Sequence, residues 1–220
     1  MASELIGGQC VTTEDVFEEA KVKFYTKQGE MFSAQAISDL ASHFLCCGVE
    51  CIKLRNSPTT QMLDGHEIIG HLLKGNLVLV PYDADRNHGP CQKKGHKAHW
   101  ALLTGFFAAI QITEAPEYLT IECEKDSEIP TLYYWSNLPT KPCSEKIISF
   151  IESNKDFYVF GHHGKSKYAG VWSLDDLLLS NDNLMEAGPE RNSEEYVMPP
   201  GGVEAGLRSQ IVVLKQASSV

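Results

Sequence analysis

The spacing of apolar residues changes once along this chain, near Gly75, and the change limits the folds that the chain can adopt. Before Gly75, apolar residues recur at helical intervals in segments that begin at a capping residue or end at a glycine. After Gly75, apolar and aromatic residues form runs of strand length, such as residues 76–82 and 99–110. Helices followed by strands predict an α+β domain with a mainly antiparallel sheet, rather than the alternating units of a parallel sheet.

Capping residues, glycines and apolar spacing place further elements along the chain. The predicted helices cover residues 1–6, which resemble only the end of a helix, and residues 13–24, 33–47, 62–74 and 173–179. The predicted strands cover residues 76–82, 99–110, 157–160, 168–172 and 211–214. Residues 111–155 contain four prolines, and we expect an insertion with short strands there. One domain over residues 1–220 that carries this insertion is the simplest organisation for a chain of this length.

The charge and cysteine content exclude some classes of partner. The chain has 19 Lys and Arg against 29 Asp and Glu, a formal net charge of -10. Such a field repels phosphate backbones and anionic lipid headgroups, so we expect neither a nucleic acid nor a membrane as partner. The seven cysteines are an odd number, and the sequence has neither a secretion signal nor an 18-residue apolar run. We therefore expect a reducing, cytoplasmic setting.

Most of the candidate chemistry lies between the two longest predicted strands, in the polar loop over residues 83–98. One interpretation is a zinc site, because His88, Cys91, His96 and His99 form an H-x2-C-x4-H-x2-H run of suitable donors, although its spacing matches no known zinc module. The other makes His99 a catalytic base at the start of a buried strand, where it could deprotonate a cysteine thiol and later protonate a leaving amine. An ordinary half-buried histidine packed under Trp100 is the alternative to both.

Several segments together resemble the actin maturation protease family. The matching segments are residues 25–33 (YTKQGEMFS), 80–83 (VPYD), 90–91 (PC), 94–101 (KGHKAHWA), 164–166 (GKS) and 200–207 (PGGVEAGL). The resemblance implies a fold similar to papain-like and bacteriocin-processing peptidases. It also implies a cytosolic cysteine protease that removes the N-acetylated Met or Cys from immature actin and exposes an acidic N-terminus. Neither a metal nor a cofactor is needed for that chemistry.

Within this resemblance, His99 takes the role of general base. The reactive cysteine of the family stands in a Gln-Cys-Gly box that opens the helix whose end is similar to residues 1–5, so we expect it upstream of Met1 and expect a truncated chain. Cys10 imitates that box, but Glu14 and Asp15 of the next predicted helix oppose thiolate formation there. Cys91, in the same loop as His99, is an equally weak candidate.

The sequence does not decide which residue would orient the His99 ring. Asp83 follows a neighbouring predicted strand, and residues 161–164 (GHHG) occupy the turn where similar folds place an orienting residue.

A second hypothesis concerns the lysines of the loop, Lys93, Lys94 and Lys97, which form a basic patch beside His99 in an acidic chain. We expect this patch to receive the acidic residues that follow the removed residue of actin. A non-catalytic actin-binding fragment and the zinc-binding module are the competing functions.

Overall fold

One antiparallel sheet of six strands organises the computed structural model, which describes residues 2–6, 11–55, 61–110, 123–134, 145–153, 156–191 and 194–215. The strands are β1 (Gly48–Lys53), β2 (Leu77–Asp83), β3 (Ala98–Ala108), β4 (Glu124–Lys125), β5 (Tyr133–Tyr134), β6 (Phe157–His162), β7 (Gly170–Ser173) and β8 (Gln210–Lys215). The sheet order is β1-β8-β2-β3-β6-β7, and every neighbouring pair is antiparallel. Strands β4 and β5 pair separately.

Three of the helices, α2, α3 and α6, begin after a side chain that accepts a backbone hydrogen bond. They are α1 (Ala2–Ile6), α2 (Thr13–Val22), α3 (Ala34–Phe44), α4 (Gln61–Leu73), α5 (Glu145–Ser153), α6 (Leu174–Asp182) and α7 (Gly202–Leu207). The Thr12 hydroxyl accepts the Asp15 N–H at 3.1 Å before α2, and the Ser33 hydroxyl accepts the Ala36 N–H at 3.2 Å before α3. Ser173 caps α6 in the same way.

Helices cover both faces of the sheet because the strands alternate their side chains. On β2, Val78, Val80 and Tyr82 belong to the core cluster that contains side chains of α4 and α6. Leu77 and Leu79 point to the opposite face, where the core cluster contains residues of α1 and α3. Residue 99 therefore lies on the α4 and α6 face, since its strand partner is Tyr82.

The structure confirms the α+β prediction and is consistent with a papain-like domain, with small shifts at the ends of the predicted elements. Three elements were missing from the prediction: β1, α7 and helix α5 of the insertion. Strand β1 directly follows α3 and is only half-buried, so it lacks a clear apolar run, and α7 is a six-residue helix rich in glycine. In the predicted insertion, β4, β5 and the unpredicted helix α5 are described, whereas residues 111–122, 135–144 and 154–155 lie outside the described part of the chain.

Two further observations concern the surface of the described segments. No helix in them is long and apolar enough to cross a membrane. Helices α2 and α3 and the residues between them line an apolar cleft of about 340 Å³, to which Phe17, Met31 and Leu40 contribute. None of the residues that line this cleft comes from the loop between β2 and β3.

Candidate active site

His99 is the second residue of β3, and its ring belongs to a row of three histidines. The centroid of the His88 ring lies 6.0 Å from that of His99 and 4.7 Å from that of His163. The His163 ring in turn stacks on Trp172 at 6.3 Å. We call His88, His99 and His163 the histidine cluster; it joins the loop after β2, the start of β3 and the residue that follows β6.

Local structure fixes each member of the cluster. The Tyr82 hydroxyl donates to the His88 carbonyl at 2.9 Å, and His88 has a left-handed backbone with φ of 63°. The Trp172 ring lies flat against Gly161 and Gly170, where a Cβ atom at either position would overlap the ring. Because these two residues are glycines, the indole ring has room to lie where it stacks on the buried His163 ring.

The surroundings of His99 favour its neutral, proton-accepting form. Burial first, and then the neighbouring basic groups Lys165, His88, Arg191 and His163, together lower the pKa of His99 from 6.5 to about 4. The pKa of His163 is also lowered, first by burial and then by His88. Near neutral pH the His99 imidazole is therefore unprotonated and can accept a proton.

We expect the His99 ring signals in a nuclear magnetic resonance titration of this chain to have a midpoint near pH 4. Lys165→Gln should raise that midpoint because it removes a nearby cation, while Lys167→Gln, two residues further on, serves as the matched control. The His99 signals are assigned by their loss in His99→Asn. A midpoint at or above the ordinary value of 6.5 would contradict the burial and charge that we describe.

Asp83 organises the loop before β3 rather than orienting His99. Its carboxylate, fully buried, accepts the backbone N–H groups of Lys93, Gly95 at 3.0 Å and Lys97 at 3.3 Å. Asp83 pairs with Ala98 in the sheet, so its side chain leaves the strand on the face opposite to His99. Of the two orienting candidates, residues 161–164 alone bring a side chain to the cluster, through His163.

Helix α6 and the segment after it anchor the same loop from outside. The Ser180 hydroxyl donates to the Asp83 carbonyl at 2.9 Å, and the Asn183 side chain accepts the Lys94 N–H at 2.7 Å. The Lys94 ammonium lies 3.7 Å from the Glu186 carboxylate. Lys94 is thus partly neutralised, whereas Lys93 and Lys97 are exposed. The basic patch therefore offers fewer free charges than its sequence predicts.

The four residues of the possible zinc run do not assemble. The His96 ring contacts the Glu186 carboxylate at 3.0 Å, on the outer side of the loop, while His88 lies against His99 and His163. In the segments that the structure describes, no group of three or more His, Cys, Asp or Glu side chains could hold a metal ion. The geometry therefore does not support the zinc alternative.

Three of the described cysteines, Cys91, Cys47 and Cys51, show no sign of activation. Burial raises the pKa of the Cys91 thiol, and the nearby charge of Asp83 raises it further. Burial also raises the pKa of Cys47 and Cys51. A nucleophilic cysteine has a lowered pKa, so these three thiols lack the property that catalysis requires. Cys10, whose sequence imitates the nucleophile box, lies outside the described residues.

Two basic residues near His99 were not predicted. Lys165 follows the turn after β6, and Arg191 lies in a segment between α6 and α7. Both are distant from His99 in sequence and lie outside every predicted helix and strand. Lys165 belongs to the matching segment over residues 164–166, but no pattern places either residue beside His99. Their positive charges lower the pKa of His99 only because the fold brings these three segments together.

Two of the sequence segments that carry the family resemblance meet at this site. The Trp100 indole N–H, next to His99, donates to the Met31 carbonyl in the segment over residues 25–33 at 3.0 Å. Phe32, the next residue, is buried in a core cluster against which Ala98 and Trp100 pack. The strand that carries His99 is thus fixed to the entrance of α3.

Comparison with known proteins finds relatives along most of the chain. Residues 1–107 match the family model described as actin maturation protease-like, C-terminal domain. The actin maturation protease of Mus musculus is 36% identical over 93% of this chain and 54% of its own length. Those of Homo sapiens and Drosophila melanogaster are 33% and 32% identical over 93% of this chain, and over 56% and 59% of their own lengths.

The curated relatives are considerably longer than the matched region. Across the six of them the chain spans 54% to 62% of the relative's length. No solved structure matches the chain significantly. The chain is thus similar to actin maturation proteases at 32–36% identity along nearly all of its residues, and residues 1–107 match the C-terminal domain model of that family.

Proposed function

We propose that this chain carries the general base of a cysteine-type protease that removes the N-acetylated Met or Cys from immature actin. The observation that carries the proposal is His99: a half-buried, neutral imidazole on the strand that is fixed to the 25–33 segment. The relatives are named actin maturation proteases, and this name supplies the substrate of the proposal. A cytoplasmic location and actin as partner belong to the same proposal.

The chemistry follows the cysteine–histidine scheme. His99 takes the proton from a cysteine thiol, and the thiolate attacks the carbonyl carbon of the acetylated residue. As the C–N bond breaks, the imidazolium gives its proton to the leaving amine of the shortened actin. Water then hydrolyses the thioester and releases the acetylated amino acid. No metal and no cofactor take part.

The low pKa of His99 fits this scheme only when a thiolate stands beside it. A negative charge next to an imidazolium raises its pKa, which would offset the burial and the cationic neighbours and bring His99 closer to neutral pH. The described cysteines with a resolved pKa shift are all shifted toward the thiol form. We therefore propose that the nucleophile comes from the Gln-Cys-Gly box that the family resemblance implies upstream of residue 1.

The test compares this chain with a form extended by the segment that precedes the matched residues in the mouse relative. Both are incubated with N-acetylated immature actin, and the products are read by mass. We expect the extended form to release the acetylated residue and this chain alone to release none. If the short chain cleaves, the nucleophile is internal, and Cys10 and Cys91 are tested next. If neither form cleaves but the chain binds actin, the protein acts as a non-catalytic binder.

A further inference from the structure

The environment of His99 is cationic although the chain as a whole is acidic. The four charged or chargeable groups that lower the pKa of His99 are all basic: Lys165, His88, Arg191 and His163. The chain as a whole has a formal net charge of -10. Two of these groups, Lys165 and Arg191, carry full positive charges, and such a pair at one site of an acidic protein attracts an anionic ligand.

Arg191 is the basic group that the structure holds most firmly. Its guanidinium lies 5.3 Å from the centre of the Phe32 ring and 6.0 Å from that of Tyr196, so two aromatic rings fix it in place. The Arg191 N–H donates to the Gly188 carbonyl at 2.8 Å, which fixes the backbone as well. A planar cation held in this way is ready to bind without reordering.

The guanidinium also has an unused donor. The Nη1 atom of Arg191 is buried and has no hydrogen-bond partner, and no ion pair of Arg191 is found among the described residues. A buried donor without a partner costs free energy, so such donors are rare in native proteins unless a ligand satisfies them. Glu30 has a similar buried oxygen, Oε2, but no ion pair joins it to Arg191.

Lys165 adds a second positive charge on the solvent side of the same site. It is exposed and lies in the turn after β6, two residues after His163, whose ring belongs to the histidine cluster. None of the ion pairs found in the described segments involves Lys165. This separates Lys165 from Lys94 of the loop, whose charge Glu186 already balances.

We propose that Arg191, assisted by Lys165, binds a carboxylate of the substrate beside His99 and so selects peptides in which an acidic residue follows the removed one. This inference rests on the proposed function and deepens it. A guanidinium can hold a carboxylate through two parallel N–H···O bonds, which a lysine cannot reproduce. Arg191 is thereby a specificity-determining residue, and the loop lysines are not its equivalent.

The test uses two peptides that start with N-acetyl-Met, one with Asp and one with Asn at the second to fourth positions. Binding to this chain is measured by calorimetry, and cleavage is measured with the extended form. We expect both assays to favour the Asp peptide by about 10- to 100-fold, as charge-assisted hydrogen bonds usually achieve. Arg191→Gln should abolish this preference, and Lys165→Gln should reduce it several-fold.

Matched variants separate recognition from a structural role. Lys167→Gln and Arg55→Gln remove exposed positive charges elsewhere and should keep the preference. Arg191→Lys keeps the charge but loses the planar donors, so it should keep only a small part of the preference, and it replaces Arg191→Gln if that variant does not fold. Glu30→Gln should keep the preference; its loss there would mean that Arg191 acts as a structural partner of Glu30, which would overturn the proposal.

The two assays distinguish a wrong inference from a wrong proposed function. If the extended form cleaves both peptides equally, or if Arg191→Gln keeps the full preference, the inference is wrong while the proposed function stands. If the extended form cleaves neither peptide, the proposed function is wrong, and calorimetry still decides the inference. Equal binding of the Asp and Asn peptides to this chain would then overturn it.

Discussion

Replacing His99 with alanine is expected to slow removal of the acetylated residue from actin by about 10³-fold or more, measured with the extended form of the chain. His99 performs both proton transfers that release the shortened actin, first from the thiol and then to the leaving amine. Its ring is half-buried within the histidine cluster, so no water molecule in bulk solution can replace it as a positioned base. Mass spectrometry of actin under single-turnover conditions gives the rate.

His96→Ala is the matched control for this variant. Both residues belong to the same stretch, but His96 points outward to Glu186 and takes no part in the cluster. We expect its processing rate to stay within a few-fold of the unchanged protein. Equal losses for His96→Ala and His99→Ala would contradict the catalytic assignment, and a requirement for added zinc in both would return the zinc run to consideration.

The sequence marked His99 with its loop and residues 161–164 as separate candidates, but for a topological reason it did not show that His99 and His163 share one cluster. His99 and its loop are local, since they adjoin strands whose apolar runs are plain in the sequence. The cluster also needs His163 and Trp172, which reach His99 only because β6 pairs with β3 and β7 pairs with β6. Pairing between strands about 60 residues apart in sequence has no local signal.

The same reasoning explains which side chains received the wrong emphasis. Asp83 was considered as an orienting group because it follows a strand beside that of His99, yet strand alternation turns it to the other face. Lys94 contributed to a basic patch in the sequence, but Glu186, 92 positions along, balances it. Arg191 lies outside every predicted element and depends on Phe32 and Tyr196 for its position. A sequence shows which side chains are charged, but only the fold shows which of these charges have an oppositely charged neighbour.

Replacing Asp83 with alanine is expected to lower the free energy of unfolding by about 3–5 kcal/mol, because three backbone N–H groups lose their acceptor in a buried place. Urea denaturation followed by tryptophan fluorescence measures the change. Asp85→Ala is the matched control: the Asp85 carboxylate accepts the N–H groups of Asn87 and Gly89 in the same loop, but it is only half-buried. Water can replace it there, so we expect a loss of about 1 kcal/mol.

Asp83→Asn separates the hydrogen bonds from the packing. The amide keeps the shape of the side chain and one acceptor oxygen, but its NH₂ group faces a backbone N–H instead of accepting from it. We expect a loss of stability between those of Asp85→Ala and Asp83→Ala, with a shift of the His99 ring signals, since residues 93–97 lead directly into β3. Equal stability of Asp83→Asn and the unchanged chain would show that volume alone matters at this position. In that case the carboxylate would not be what holds the loop that delivers His99.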